Sequence, residues 1–176
     1  MHATTNGTTT TPAPLAVPTS LTGDQARAVA EAVNPLIADA LALYVKLKNF
    51  HWHLSGSHFR DYHLLFDEQA EATLADVDRL AERVRKVGQT TIRSVGHVSR
   101  LTQVDDDDEA FVTPRAMFER LLADHEAIAA SQRSAVEVAE ENKDYPTANV
   151  LEEVLDATER RKWFLFETLQ GSEHVA

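Results

Sequence analysis

Apolar residues recur at three- and four-residue intervals over four long stretches of this chain. Nowhere does the sequence adopt the two-residue alternation of a half-buried strand. In the first stretch, residues 22–54, the repeating positions are Val33, Ile37, Ala40, Leu41, Tyr44, Leu47, Phe50 and Leu54. Ser55-Gly56-Ser57 ends it with turn chemistry. The second stretch covers residues 58–87, with Gly88 placed to cap its C-terminus. A long connection follows over residues 88–112, with a short helix expected across 92–101 and then the acidic run 105–109. Thr113-Pro114 opens a third helix, Thr as N-cap and Pro in the first turn, and this helix ends near Asn142. After the turn Lys143-Asp144-Tyr145-Pro146 a fourth helix reaches Gln170, with Gly171 beyond it. The pattern predicts an all-α four-helix bundle whose middle pair of helices is joined by a long crossover carrying a short helix.

At 176 residues, 43% of them hydrophobic and with 6 Gly and 6 Pro, the chain suits one globular domain. A ferritin-like bundle is expected over residues 21–171. Residues 1–20 form a Thr/Pro-rich tail without apolar periodicity, expected to be disordered, and residues 172–176 form a short C-terminal tail. There is no Cys, which excludes disulfides, thiolate metal sites and cysteine nucleophiles. No unbroken apolar run approaches the roughly 18 residues of a membrane span, and no basic-then-apolar leader opens the chain. A cytoplasmic protein without a membrane partner is the expectation. The net charge of −11 disfavours phosphate backbones and favours cations.

The second helix holds the chemistry. His63, Asp67, Asp78 and Glu82 fall on one arc as two i,i+4 pairs, about 40°, 60° and 100° round the helix from His63. With His51 they spell H-x11-H-x3-D-x10-D-x3-E. Imidazole and carboxylate ligands without thiolate suit iron, manganese or zinc. Asp67 and Asp78 are eleven residues apart, so the two pairs lie about 16 Å apart along the axis. No single ion bridges that distance. A two-fold partner with its helix antiparallel would set His63/Asp67 of one chain against Asp78/Glu82 of the other. Ala70, Glu71, Leu74 and Ala75, lying between the pairs, would then allow close helix approach. For each member taken alone, a surface i,i+4 pair is the competing reading. Glu82 also has Arg83 beside it as a salt-bridge partner.

The stretch K-N-F-H-W-H-L-S-G-S-H-F-R-D-Y-H-L-L-F-D, followed by D-V-D-R-L-A-E-R, resembles the Dps family of miniferritins, and the likeness extends over roughly residues 25–170. The resemblance implies a hollow shell of twelve subunits, built on two-fold dimers, that oxidises Fe(II) with hydrogen peroxide or, more slowly, O2 and stores ferric oxide inside. It implies ferroxidase ligands His51, His63 and Asp67 from one chain with Asp78 and Glu82 from its two-fold mate, holding two iron ions. His51, Asp78 and Glu82 are assigned chiefly to the first iron, Asp67 to a bridging position and His63 to the second. Trp52 would serve as an electron donor when one iron alone is present, against a plain aromatic packing role. The family's acidic three-fold pores lie near the start of the fourth helix. There this chain has Asn149, so Glu152, Glu153 and Asp156 stand in as the acidic residues. Glu68 and Glu71 are candidates for mineral nucleation, and His53 is expected at the surface.

Members of the family that bind DNA commonly do so with Lys/Arg-rich tails. Residues 1–20 hold no Lys or Arg, and residues 171–176 are not basic, so strong DNA binding is not expected. Two other readings stay open: a DNA-compacting protein, and a zinc-binding assembly without redox turnover. A larger ferritin is disfavoured because no predicted helix carries the E-x-x-H pair of within-chain di-iron bundles.

Overall fold

The computed structural model of the chain describes residues 11–170. Five helices make up the fold: α1 (Gly23–His53), α2 (Phe59–Lys86), α3 (Val95–Leu101), α4 (Pro114–Glu141) and α5 (Tyr145–Gln170). No strand occurs among the described residues. The architecture is the predicted ferritin-like bundle, with α1 paired to α2, α4 paired to α5, and α3 riding on the crossover against α1.

Helix ends fall where local chemistry puts them. Thr22 and Gln25 form a reciprocal capping box, Gln25 N–H donating to Thr22 Oγ1 (3.3 Å) and Thr22 N–H to Gln25 Oε1 (2.9 Å). The Thr113 hydroxyl oxygen accepts from Ala116 N–H at 3.3 Å, with Pro114 in the first turn. The crossover helix is shorter than expected, because Ser94 takes the N-cap position and accepts from His97 N–H at 3.1 Å. At the end of α2, Gly88 adopts φ +77° while its N–H donates to Arg85 O and Gln89 N–H donates to Val84 O. That pair of bonds is a Schellman closure, which needs the left-handed conformation glycine provides.

Two apolar cells fill the bundle. One gathers Leu43, Leu47, Phe50, Phe66, Phe118, Leu121 and Leu165. The other gathers Val33, Ile37, Leu80, Val84, Leu151 and Val154. α1 contributes to both, and over part of its length it is apolar enough to cross a membrane by composition alone. A search for unbroken apolar runs misses this. In the bundle its apolar side is core, and its buried Asp39 and Lys46 have work of their own. Asp39 Oδ1 accepts from Gln103 N–H (2.6 Å) and the Thr102 hydroxyl (3.0 Å), tying down the crossover, and Lys46 pairs with Asp124 at 2.7 Å. Arg120 clasps the acidic run at Asp107 (2.7 Å) and Glu109 (2.9 Å).

The tail needs a correction over residues 11–20; its first ten residues lie outside those described. A 3-10 turn at Ala13–Leu15 is followed by a strap across the end of α2. Arg85 donates to Leu15 O at 2.7 Å and Thr11 Oγ1 to Gln89 Oε1 at 3.0 Å. The side-chain-free Gly88 lets the strap in: a Cβ there would stand 2.7 Å from Val17 O. Backbone–backbone contact of this kind leaves no signal in hydrophobic periodicity. Gly88→Ala should therefore cost about 1–2 kcal/mol in chemical denaturation and speed proteolysis of the strap ahead of the bundle.

His125 is fully buried, and desolvation lowers its pKa from 6.5 to about 4, with the nearby Arg161 cation adding to the fall. A depressed folded pKa for a cationic acid means that the unfolded chain binds the extra proton first. Stability is then whole above pH 6.5 and is lost as pH falls toward 4, by roughly 3 kcal/mol per chain. Unfolding titrations at pH 7, 5.5 and 4.5 should show a shallower acid loss in His125→Gln than in the parent chain.

Candidate metal centre

The turn joining α1 to α2 folds the last turn of one helix back onto the first turns of the next. His51 and His63 meet there with their rings stacked, centroids 3.6 Å apart and planes inclined by 20°. Each ring is fixed by the other residue's backbone. His51 Nδ1–H donates to His63 O at 2.9 Å, and His63 Nδ1–H donates to His51 O at 2.9 Å. A carbonyl oxygen only accepts, so Nδ1 carries the proton on both rings and both Nε2 lone pairs are left free. That tautomer is the ligating form, oriented before any metal arrives. Phe59 stacks on His63 at 4.9 Å and shields one side of the pair.

Asp67 lies beside the histidine pair, its Oδ1 3.9 Å from His51 Nε2. The Lys48 ammonium also donates to that oxygen. This hydrogen bond holds the Asp67 carboxyl below its ordinary pKa and raises that of Lys48. Two stacked imidazoles thus stand beside a carboxylate whose charge Lys48 balances.

Asp78 and Glu82 are not part of this group. Both are exposed farther along α2, and Glu82 pairs with Lys86 at 3.0 Å. No group of three or more His, Cys, Asp or Glu that could hold a metal forms among the described residues. One chain thus keeps these candidate ligands in two separate groups, His51, His63 and Asp67 at the α1–α2 hairpin and Asp78 and Glu82 farther along α2. Between them, Glu71, Ala72, Leu74 and Ala75 are exposed. Ala70, expected in that row, instead lies fully buried in the core, since it sits one position round from Glu71 toward the bundle. Trp52 is 65% exposed beside the histidine pair, and Val45, Phe59 and Leu64 are exposed apolar residues on the same two helices.

The other singled-out residues are dispersed. His53 is exposed and its Nδ1 bonds Asn49 O at 2.8 Å, as a surface residue would. Glu68 and Glu71 are exposed on α2, and Asn149, Glu152, Glu153 and Asp156 on α5. Glu153 is taken up in an ion pair with Arg79, which weakens it as a free acidic residue.

The ferritin family model, a ferritin-like domain, matches residues 30–174. The DNA protection during starvation protein of Halobacterium salinarum is 34% identical over 132 residues, 75% of this chain and 72% of that protein. The chain belongs to the Dps family of ferritin-like proteins. Among solved structures, DpsC from Streptomyces coelicolor superposes with a TM-score of 0.84 at 32% identity, covering 86% of this chain and 89% of that one. An archaeal Dps homologue from Halobacterium salinarum does so with a TM-score of 0.83 at 28% identity, covering 98% and 97%. Ferritin-like iron storage is the function that goes with this membership.

Lys48 is the residue of this Dps-family chain that sequence reasoning overlooked. Its signal is modest: it lies three residues before His51, hence on the same side of α1. A metal ion that uses Asp67 must displace the ammonium. Lys48→Met should tighten Co(II) binding by the assembled protein about tenfold, the loss of one charge-assisted hydrogen bond, as read by calorimetry.

Proposed function

We propose that this protein oxidises Fe(II) with hydrogen peroxide at dinuclear sites shared between two-fold related subunits, and stores the ferric product inside a closed twelve-subunit shell in the cytoplasm. The observation that carries the reading is the reciprocal imidazole–carbonyl pair. Two histidines with Nδ1–H tied down and Nε2 free are prepared ligands. The row Glu71, Ala72, Leu74 and Ala75, unpartnered in one chain and flanked by exposed Trp52 and Leu64, gives a second copy a surface to pack on.

With α2 of two copies antiparallel, His51, His63 and Asp67 face the partner subunit's Asp78 and Glu82. Nitrogen and carboxylate donors of this kind suit iron, and the same set accepts zinc as a competing occupant. His51 with the partner's Asp78 and Glu82 holds one Fe(II). Asp67, released by Lys48, reaches toward both ions, and His63 serves the weaker second position. Each Fe(II) gives up one electron. The peroxide O–O bond takes both electrons, and with two protons it yields two waters, so no one-electron hydroxyl radical is left over. Trp52, exposed beside the ligands, can supply the missing electron when one iron alone is bound. The net charge of −11 draws cations toward the assembly, with Glu152 and Asp156 as candidate entry residues.

The test is anaerobic Fe(II) loading followed by a peroxide pulse, tracking ferric absorbance and iron retained on a large assembly. Fast oxidation with retained iron is expected for the parent chain, and Asp78→Ala/Glu82→Ala should lose at least tenfold in initial rate. Equal, slow rates in both would leave a metal-binding assembly without catalysis, the zinc reading included. Mixing His63→Ala chains with Asp78→Ala chains should restore intact sites, and mixed assemblies as inactive as either parent would rule out sharing. Duplex DNA should show no salt-sensitive gel shift at submicromolar protein, given a tail without Lys or Arg.

A further inference from the structure

The two apolar cells of the bundle are separated by a polar layer. On α2 the switch from Phe66 and Ala70 in one cell to Leu80 and Val84 in the other runs past Gln69, Thr73 and Asp76. On α5 it falls at Thr158 and Arg161, between Val154 and Leu165. α4 adds Gln132, between Ile128 of one cell and Ala135 of the other, and His125, two turns earlier and near Arg161.

Much of the layer closes on Arg161. Its guanidinium donates to Asp76 Oδ2 and to Thr158 Oγ1, each at 2.9 Å, and its carbonyl accepts from Gln69 Nε2 at 3.2 Å. Five side-chain atoms nonetheless have no protein partner: Gln69 Oε1, Thr73 Oγ1, His125 Nε2, Gln132 Oε1 and Arg161 Nε. All five residues are more than nine-tenths buried. A buried polar atom left unpaired costs about 1–3 kcal/mol, so five in one layer demand a ligand.

Their chemistry says which ligand. Gln69 donates through its amide nitrogen, which leaves Oε1 as an acceptor. His125 Nδ1–H donates to Leu121 O at 2.7 Å, so Nε2 is an acceptor as well. Gln132 Oε1 is a third acceptor. Arg161 Nε–H and the Thr73 hydroxyl are donors. Three acceptors cannot satisfy one another, and a bound metal would be repelled by the Arg161 cation. An anion would meet three acceptor atoms and the Asp76 carboxylate. The small neutral molecule that both donates and accepts is water.

We propose that the bundle contains a built internal water site of at least two molecules between its apolar cells, held by Arg161 Nε–H and the Thr73 hydroxyl and donating to His125, Gln69 and Gln132. One molecule does not suffice. A water donates two hydrogens, whereas Gln69 Oε1, His125 Nε2 and Gln132 Oε1 are three acceptors. The waters complete the shell of Arg161, the residue on which Gln69 and Asp76 both end. Those two lie on the stretch of α2 between residues 67 and 78, so the site braces that stretch from its inner face.

The test is a crystal structure of the full-length assembled protein at a resolution that shows ordered solvent, paired with crystals held under xenon pressure. Expected are at least two waters in hydrogen-bond reach of His125 Nε2, Arg161 Nε and Gln132 Oε1, with no xenon in the layer. Xenon uptake there would mean a dry void, and direct side-chain pairing of the five atoms would mean no site; either overturns the proposal. In Thr73→Val/Gln132→Leu the water next to Gln132 should vanish while the one on His125 stays. Retention of every water in that variant would also overturn it. Should the double variant fail to fold, Gln132→Leu alone carries the same comparison.

Discussion

The rise of an α-helix, about 1.5 Å per residue, governs how this chain can make a metal centre. Asp67 and Asp78 lie on one continuous helix, and nothing in α2 breaks it between them. The carboxylates therefore stay about 16 Å apart whatever the rest of the chain does. A compact subunit cannot repair that by bending, because the inner face of α2 is pinned in the same interval. Gln69 and Asp76 both bond to Arg161 on α5, and Arg83 reaches Asp144 at 3.0 Å at the foot of α5. That rigidity keeps the two groups of candidate ligands apart within a chain, and in the proposed shared site it would also hold two antiparallel copies of α2 in register.

Charge is managed differently on the two faces of this helix. On the inner face, Asp76 has its pKa raised by burial, against the pull of the Arg161 cation. On the outer face, Lys48 keeps Asp67 ionised and partnered, so the half-site is not a bare pocket of negative charge. That arrangement sets a threshold. An ion gains Asp67 only by competing with an ammonium, so in the proposed shared site further carboxylates would be needed to tip that competition.

Much of the fold was legible because it rests on local rules. Thr22, Thr113-Pro114 and Gly88 act as the helix boundaries that their types suggest, and the 3.6-residue spacing selects the buried faces. The approach of His51 to His63 follows from the short hairpin between α1 and α2. What escaped notice depends on contacts distant in sequence. The strap of residues 11–20 is held by Arg85 at the Leu15 carbonyl and fits against Gly88 at Val17, contacts to which composition is blind. Lys48 needs the register of α1 against α2 before it meets Asp67. Ala70 was placed on the outer row because a one-residue step on a helix is 100°, enough to move a side chain from one neighbour to another.

Three histidines show how little the residue type decides. His51, His63 and His125 each have Nδ1–H bonded to a backbone carbonyl, so in all three Nε2 is the ring atom left to face another group. The difference is where Nε2 finds itself. In His51 and His63 it lies at the hairpin between α1 and α2, near the Asp67 carboxylate. In His125 it is sealed inside the bundle near a guanidinium, where a metal cation meets repulsion and a proton is held only at low pH. The same hydrogen bond thus prepares a ligand in one setting and a neutral acceptor in the other. What separates them is the exposure and charge of the space that Nε2 faces, a property of helix packing that no spacing of histidines along the chain records.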